Sequence, residues 1–381
     1  MVPTYHPLEA YCRDIARLAS RDSFGPDDAD WIAASLALQR YVDATPTERQ
    51  RLATDLATVL AVGDEITVCD AALRVAFDVE KMGAWHLAMS WLDLLERLLP
   101  SERYVEVGRV FAYRARLVRK FGDMVSSRAI SEEIERMGQL HAEPELTARA
   151  WLGYGVMAHS RGNIPEARRW YSAAALVADD NGFNEPSYVA HVGLQTCALI
   201  GRHFDLAMLE GWRAFALAEG DMEREAEVLT NLAQTLHECG EHRVALRGFA
   251  AAVSKSKYLD TLLPALGGVA SSAAHLGQPD VVDAAADRLE RLLAVASPLP
   301  HALVLLEMSD ANLVLDRADE AARFRERAAL LADAHGFHEV VYRVANPAFI
   351  ANARFVLGPE SHRIAHDIGR ISAPVDLCAT R

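Results

Sequence analysis

A stretch of basic residues without any acid is the clearest chemical feature of this sequence. Residues 107–122 contain no Asp or Glu, although the 381-residue chain has a formal net charge of −14. Arginine forks bind carboxylates through two parallel hydrogen bonds. The stretch therefore indicates a site for an acidic partner or, alternatively, a solvated helix face, since runs of charge usually face water. Its cations are Arg109, Arg114, Arg116, Arg119 and Lys120.

Histidines and a cysteine occur together at two places, in residue types that bind metal ions. His237, Cys239 and His242 surround a glycine, but their spacing matches no standard zinc finger. His362 and His366 are four residues apart on a predicted helix, where both imidazoles can reach one ion, yet two ligands do not complete a site. We therefore predict neither a metal ion nor a cofactor.

Catalytic motifs are absent from the sequence. It contains no GxxxxGK[ST] phosphate loop, no HExxH and no GxSxG. Ser271, Ser272 and His275 have the residue types of a nucleophile and its base. Beside Gly267 and Gly268, however, they are explained more simply as the small face of a closely packed helix hairpin. We therefore predict a non-enzymatic protein.

Composition and charge restrict the class of protein further. The chain is 51% hydrophobic and 24% charged, which is typical of a soluble globular protein. Its negative charge disfavours nucleic acid and anionic membranes as partners. The sequence shows no secretory signal, no apolar stretch of spanning length and no CxxC pair among its five cysteines. We predict a cytoplasmic protein that binds neither nucleic acid nor membrane.

The elements that must position these residues are marked by glycines at a nearly constant interval. Successive glycines of this series lie 37 to 40 residues apart, and an aspartate extends the series by one more step. An alanine stands five residues after several of them, where a small side chain lets two helices pack closely. This self-similarity indicates a repeat architecture. The series is Gly83, Gly122, Gly162, Gly201, Gly240, Gly277 and Asp316.

The residues around the glycines resemble the tetratricopeptide repeat, which consists of a helix, a tight turn and a second helix. The similarity is strongest over residues 148–176 and continues in 226–254 and 69–96. It is weaker near Gly201, where Ala207 comes one residue late. The period of about 39 residues exceeds the usual 34, as in longer-period bacterial relatives, and longer helices or loops accommodate the difference. In 148–176 the matching residues are Trp151, Tyr154, Gly155, Gly162, Ala167, Tyr171 and Ala174.

The resemblance implies an all-α fold, namely a right-handed superhelical α-solenoid of about seven helix hairpins with helical caps at both ends. The glycine series does not extend into residues 1–66, so we predict an N-terminal helical capping bundle there. Residues 67–339 are expected to form the solenoid, and residues 340–381 are expected to form C-terminal capping helices and a tail. Terminal units of a solenoid are atypical because their outer faces meet water.

The resemblance also implies a concave groove lined by the first helix of each hairpin. Counting from the turns places basic residues in its near half and neutral polar residues in its far half. Amide side chains can both donate to and accept from a peptide backbone. The groove residues are predicted to be Arg74, Phe77, Arg109, Arg116, Arg119, Lys120, Arg149, His159, His191, Gln195, Asn231, Gln234 and His237.

Two functions follow from such a groove. The first is a non-enzymatic scaffold or adaptor that binds a protein or an extended peptide with an acidic segment. The alternative is a peptide-responsive signalling regulator, similar to bacterial receptors of this family, whose N-terminal bundle acts on a partner protein. Residues 1–66 have neither a convincing helix-turn-helix nor a basic balance, which disfavours a DNA-binding head. The alternative interpretation of Asn231 and Gln234 is that they are exposed helix residues without a binding role.

Overall fold

The computed structural model describes residues 102–256, 258–293, 298–335, 337–345 and 355–371, with single positions between Leu73 and Leu99. These residues form fourteen helices and no strand, which confirms the predicted all-α fold. None of the helices in these ranges has the length and apolar composition needed to cross a bilayer. The chain divides into two compact units, Met1–Gly193 (unit 1) and Leu194–Arg381 (unit 2). The predicted bundle of residues 1–66 and Arg74 lie outside the described residues.

Unit 1 consists of consecutive antiparallel helices, in which each odd-numbered helix is the first helix of a pair. α2 packs against both α1 and α3, α3 packs against α4, and α1 also contacts α3 directly. The first helices α1, α3 and α5 are each 17 residues long, so long helices fill most of the repeat interval. The helices are α1 (Tyr104–Lys120), α2 (Met124–His141), α3 (Pro144–Ser160), α4 (Ile164–Asn181) and α5 (Asn184–Ile200), whose last residues belong to unit 2.

Unit 2 continues the same pattern. Its first helices α7, α9 and α11 contact one another in order, and each also packs against the second helix that follows it. This is the contact pattern of stacked helix hairpins. The helices are α6 (Phe204–Leu217), α7 (Met222–Glu238), α8 (His242–Lys255), α9 (Leu259–His275), α10 (Pro279–Leu293), α11 (Pro298–Val314), α12 (Ala318–His335), α13 (His338–Ala345) and α14 (Pro359–Ile371).

Five residues of the glycine series mark turns inside the helix pairs, as predicted, while Gly83 lies outside the described residues. At Gly162 the backbone has φ of +74°, a left-handed conformation that glycine adopts without a steric penalty. The next residue, Asn163, caps α4 by accepting a hydrogen bond from the Glu166 amide at 3.3 Å. Left-handed residues recur in the equivalent turns at Gly122, Gly240, Gly277 and Asp316.

One turn lies one residue later than the glycine series predicts. The left-handed residue after α5 is Arg202, with φ of 56°, and Gly201 is not in this conformation. Counted from Arg202, the buried Ala207 falls five residues after the turn, as Ala167 does after Gly162. The late alanine in the sequence was therefore the signal of this shift, and every position on α5 that was counted from Gly201 moves by one residue.

Small residues allow an aromatic side chain to sit between neighbouring first helices. Tyr171 on α4 is buried, and a Cβ added at Gly155 or at Gly193 would lie 2.7 Å from its ring. In unit 2, a Cβ added at Gly268 on α9 would lie 2.3 Å from the ring of Phe249 on α8. The glycine-rich part of α9 is thus explained by close packing, as the sequence predicts.

The C-terminal helix α14 packs against α6 and α8, which are second helices of two earlier pairs. Asp205 at the start of α6 accepts hydrogen bonds from the Gly358 amide at 2.8 Å and from the Ser361 hydroxyl at 2.6 Å, and so holds the beginning of α14. Nearby, the rings of Phe204 and Phe355 meet edge to face at 5.0 Å. The last described helix is therefore held against α6 and α8 of unit 2.

The shifted turn can be tested by a matched pair of substitutions. Gly162→Ala forces a side chain into a left-handed backbone conformation and should lower the free energy of unfolding by about 1 kcal/mol. Gly201→Ala should cost less, because its backbone is not left-handed. Urea unfolding followed by circular dichroism measures both. Equal destabilisation by the two substitutions would show that Gly201 is the turn residue after all.

Candidate functional site

The predicted basic residues of unit 1 connect consecutive first helices through carboxylates. On α1, Arg109 donates from Nε and Nη2 to the two oxygens of Glu145 on α3, at 2.8 and 3.0 Å. Arg149 on α3 also pairs with Glu145, at 2.9 Å, and lies 2.6 Å from Glu185 on α5. The result is a ladder of alternating charge that crosses three first helices. We call these four residues the charge ladder.

A second group of cations surrounds the buried side chain of Glu80. Arg116 Nη2 lies 3.2 Å from a Glu80 oxygen, and the Lys120 ammonium and the Tyr113 hydroxyl also bind this carboxylate. The guanidinium of Arg116 lies 5.3 Å from the ring centre of Phe77, within the range of a cation–π contact. The structure thus brings Phe77 and Arg116 into contact.

These buried carboxylates remain ionised because of the cations around them. Burial alone would raise the pKa of Glu80, but the charges of Arg116 and Lys120 outweigh it and lower the pKa below its ordinary value. Burial also opposes ionisation of Glu145, and there the hydrogen bond from Arg109 and the charge of Arg149 lower the pKa. The basic stretch is therefore not an uncompensated patch, since acids from neighbouring helices lie against most of its cations.

Arg119 and His159 differ from the other basic residues of this face. No hydrogen bond or ion pair is made by the Arg119 side chain within the part of the chain that the structure describes. Burial lowers the pKa of Arg119, and the nearby charge of Arg116 lowers it further. His159 Nε2 is buried and has no hydrogen-bond partner among the same residues. Both residues stand three positions before the turn glycine of their pair, on the adjacent helices α1 and α3.

The shifted turn removes two predicted residues from the groove. His191 is buried and lies 3.3 Å from Asp179 on α4, and Gln195 is fully buried beside Gly211 on α6. Neither side chain is accessible to a ligand, because counting from Gly201 was wrong by one residue. Counting from Arg202 instead selects Val189 and Val192 within unit 1, and the structure places both at half-buried positions.

The remaining predicted residues of unit 2 lie along α7. Asn231 is half-buried, and its side-chain amide makes no hydrogen bond to any described residue. Gln234 donates a hydrogen bond to Glu238 at 3.1 Å. The Nδ1 atom of His237 lies 3.0 Å from the Ser272 hydroxyl on α9. Asn231 is thus the member of this set with an amide available to a ligand.

Three histidines of unit 2 form a cluster that the sequence did not single out. The ring centres of His237, His242 and His275 are 4.3 to 5.0 Å apart, and one ring nitrogen from each lies within 4.8 Å of the others. Cys239, which is close to them in sequence, is buried, and burial followed by the charge of Asp205 raises its pKa to about 12. The thiol therefore stays protonated, and the third residue beside His237 and His242 is His275.

The acids of the charge ladder were missed because the sequence analysis considered each repeat separately. Glu145 and Glu185 stand seventeen residues before Gly162 and Arg202, which is the same position in consecutive repeats. An acid in the first turn of a helix is also favoured by the helix dipole. This recurrence was the available signal, but the pairing itself depends on how the first helices stack.

No protein-family model and no curated protein sequence matches the chain. Among solved structures, it is similar to the apo form of the quorum sensor NprR from B. thuringiensis, with 16% identity, coverage of 71% of this chain and 81% of that chain, and a TM-score of 0.48. It is also similar to PH0952 from Pyrococcus horikoshii, a signal-transduction ATPase with a tetratricopeptide repeat sensor, with 12% identity, coverage of 90% of this chain and 55% of that chain, and a TM-score of 0.48. At these identities and TM-scores, neither likeness carries an argument about what this chain binds.

Loss of the ladder carboxylate Glu145 is expected to destabilise the protein more than loss of an exposed carboxylate. Glu145→Gln leaves two partly buried guanidinium groups without their shared anion and should lower the free energy of unfolding by about 2 kcal/mol at neutral pH. Because the pKa of Glu145 is lowered in the folded protein, this stability is present above the ordinary value of 4.5 and is lost as pH falls through the folded value. Urea unfolding at several pH values measures the difference.

The matched control is Glu133→Gln on α2, which removes an exposed carboxylate paired with Arg136 in the same helix. Exposed pairs of this kind contribute little to stability. If Glu145→Gln behaved like this control at neutral pH, the ladder would have no structural role.

Proposed function

We propose that the protein is a non-enzymatic binding module that holds an extended, carboxylate-bearing peptide segment of another protein across the first helices of unit 1. The observation that carries this proposal is the pair Arg119 and His159. Both side chains are partly or largely removed from water, and no described residue satisfies their polar atoms. A buried polar group without a partner costs free energy, so a ligand that supplies an acceptor to both positions would recover it.

The neighbouring residues support a charged ligand at this position. Glu80 is fully buried, and it orients Arg116, one turn before Arg119, and Lys120, which directly follows Arg119. Cations held in fixed positions lose less conformational entropy when a ligand carboxylate binds. The resulting surface would be prearranged for anions even though the chain as a whole is acidic.

The spacing of the helices suggests which peptide fits. Packed helices lie about 8 to 10 Å apart, and a chain in the polyproline II conformation rises about 3.1 Å per residue with three residues per turn, so every third side chain points the same way. A peptide that crosses from α1 to α3 would therefore present every third residue to the next first helix. Acidic residues three positions apart would meet Arg119 and then the region of His159 and Arg149. Beyond them, the half-buried Val189 and Val192 on α5 suit an apolar side chain.

The prediction is tested with two synthetic peptides, one with Glu at every third position and its counterpart with Gln. The Glu peptide should bind the full chain and the Gln peptide should bind much more weakly, as measured by fluorescence anisotropy. Arg119→Gln should lower the affinity for the Glu peptide by about tenfold or more, because a charge-assisted hydrogen bond contributes about 1.5 to 3 kcal/mol. Arg119 is the position to change, since reversing Arg109 or Arg116 would place a carboxylate against Glu145 or Glu80.

The matched control is Arg136→Gln, which removes an exposed arginine from α2 and should leave binding unchanged. Equal binding of the Glu and Gln peptides, or equal loss from both substitutions, would contradict the proposed site. Scattering from the same complex separates the two functions considered from the sequence. A peptide-responsive regulator requires a change of compaction on binding, whereas a static scaffold does not.

A further inference from the structure

We propose that His237, His242 and His275 form a binding site for a divalent transition-metal ion of the zinc class. Each offers a ring nitrogen, and these nitrogens all lie within 4.8 Å of one another. For tetrahedral zinc, with Zn–N distances of about 2.0 to 2.1 Å, two ligand nitrogens are separated by about 3.3 Å. The Nδ1 atoms of His237 and His242 are 3.3 Å apart. The His275 nitrogen lies within 4.8 Å of the other two, and ion binding requires its ring to rotate until that separation is also about 3.3 Å.

The hydrogen bond of His275 determines which of its two nitrogens can bind an ion. Its Nδ1 lies 2.9 Å from the backbone carbonyl of Ser271, which can only accept, so Nδ1 carries the hydrogen. In the neutral ring Nε2 then has the lone pair. Metal-binding histidines commonly donate their other N–H to a carbonyl or carboxylate in this way, which fixes the tautomer and the ring orientation.

A metal ion at His237 competes with the hydrogen bonds that this ring already makes. Ser272 Oγ lies 3.0 Å from His237 Nδ1, and an ion bound at Nδ1 replaces that hydrogen bond, because one lone pair cannot serve both. Ion binding therefore replaces two hydrogen bonds of His237 Nδ1, to Ser272 and to His242, with metal–ligand bonds.

The position of the cluster in the fold is consistent with a cation. His237 lies in the last turn of α7, and His275 is the last residue of α9. The negative ends of two helix dipoles therefore lie at the cluster, whereas the positive end of only one, at His242, lies there. All three rings are half-buried. Three protein ligands leave the fourth tetrahedral position for water or for a donor of a bound partner.

The bound ion would join two consecutive helix pairs. His237 and His242 flank the turn between α7 and α8, and His275 ends α9 of the next pair. A ligand that binds the folded state but not the unfolded state stabilises the fold by mass action. The site is therefore expected to fasten one repeat to the next, independently of the peptide site proposed in unit 1.

The test uses the full chain after treatment with a chelator. Titration with Zn²⁺ by calorimetry should show one ion per chain, and Zn²⁺ should raise the melting temperature. Co²⁺ should give the visible absorption of a tetrahedral nitrogen site. His275→Gln and His242→Gln, each at a half-buried position, should each weaken Zn²⁺ binding by about 100-fold or more, since even outer-shell changes cost about 10- to 100-fold.

The matched control is His366→Gln on α14. With His362 it forms an exposed pair four residues apart, which is the other place where zinc could bind a helix. Stoichiometric binding that survives His275→Gln and His242→Gln but is lost in His366→Gln would overturn the proposal, and so would the absence of saturable Zn²⁺ binding by the unaltered chain. Circular dichroism of each variant confirms that helix content is retained, so a loss of binding is not a loss of folding.

Discussion

The close approach of neighbouring helices at small residues is the constraint on which the rest of the structure depends. Tyr171 fits between α3 and α5 only because Gly155 and Gly193 leave room for its ring, and Phe249 relies on Gly268 in the same way. Protein interiors are packed too densely for an added methyl group to be accommodated without movement. The spacing of the first helices, and therefore every side chain that bridges them, follows from these contacts.

That spacing brings charges from different repeats within reach of one another. Arg109 and Glu145 are 36 residues apart in the chain, yet they form a bidentate ion pair because α1 and α3 stack. The same stacking covers Glu80 with cations and leaves Arg119 and His159 without partners among the described residues. The packing of neighbouring repeats therefore decides which polar atoms on this face have partners among the described residues.

Much of the architecture was predictable because the same sequence pattern recurs in each repeat. Five turn residues, their buried small neighbours and the all-α fold agree with the structure. The turn at Arg202 was misplaced by one residue because Gly201 continues the series by type, whereas the backbone conformation lies at the next residue. His191 and Gln195 entered the groove list through that single error, which shows how strongly a helix face depends on register.

The sequence by itself determined the repeat, the helix pairs and the basic stretch of α1, since local spacing and residue type decide helices and tight turns. Only the tertiary structure decided which acids neutralise that stretch and which histidines meet. Glu80 and Glu145 reach the cations of α1 from other repeats, and His275 joins His237 from 38 residues away. Such meetings depend on the stacking of helices that are distant in the chain, and spacing along one helix carries no information about them.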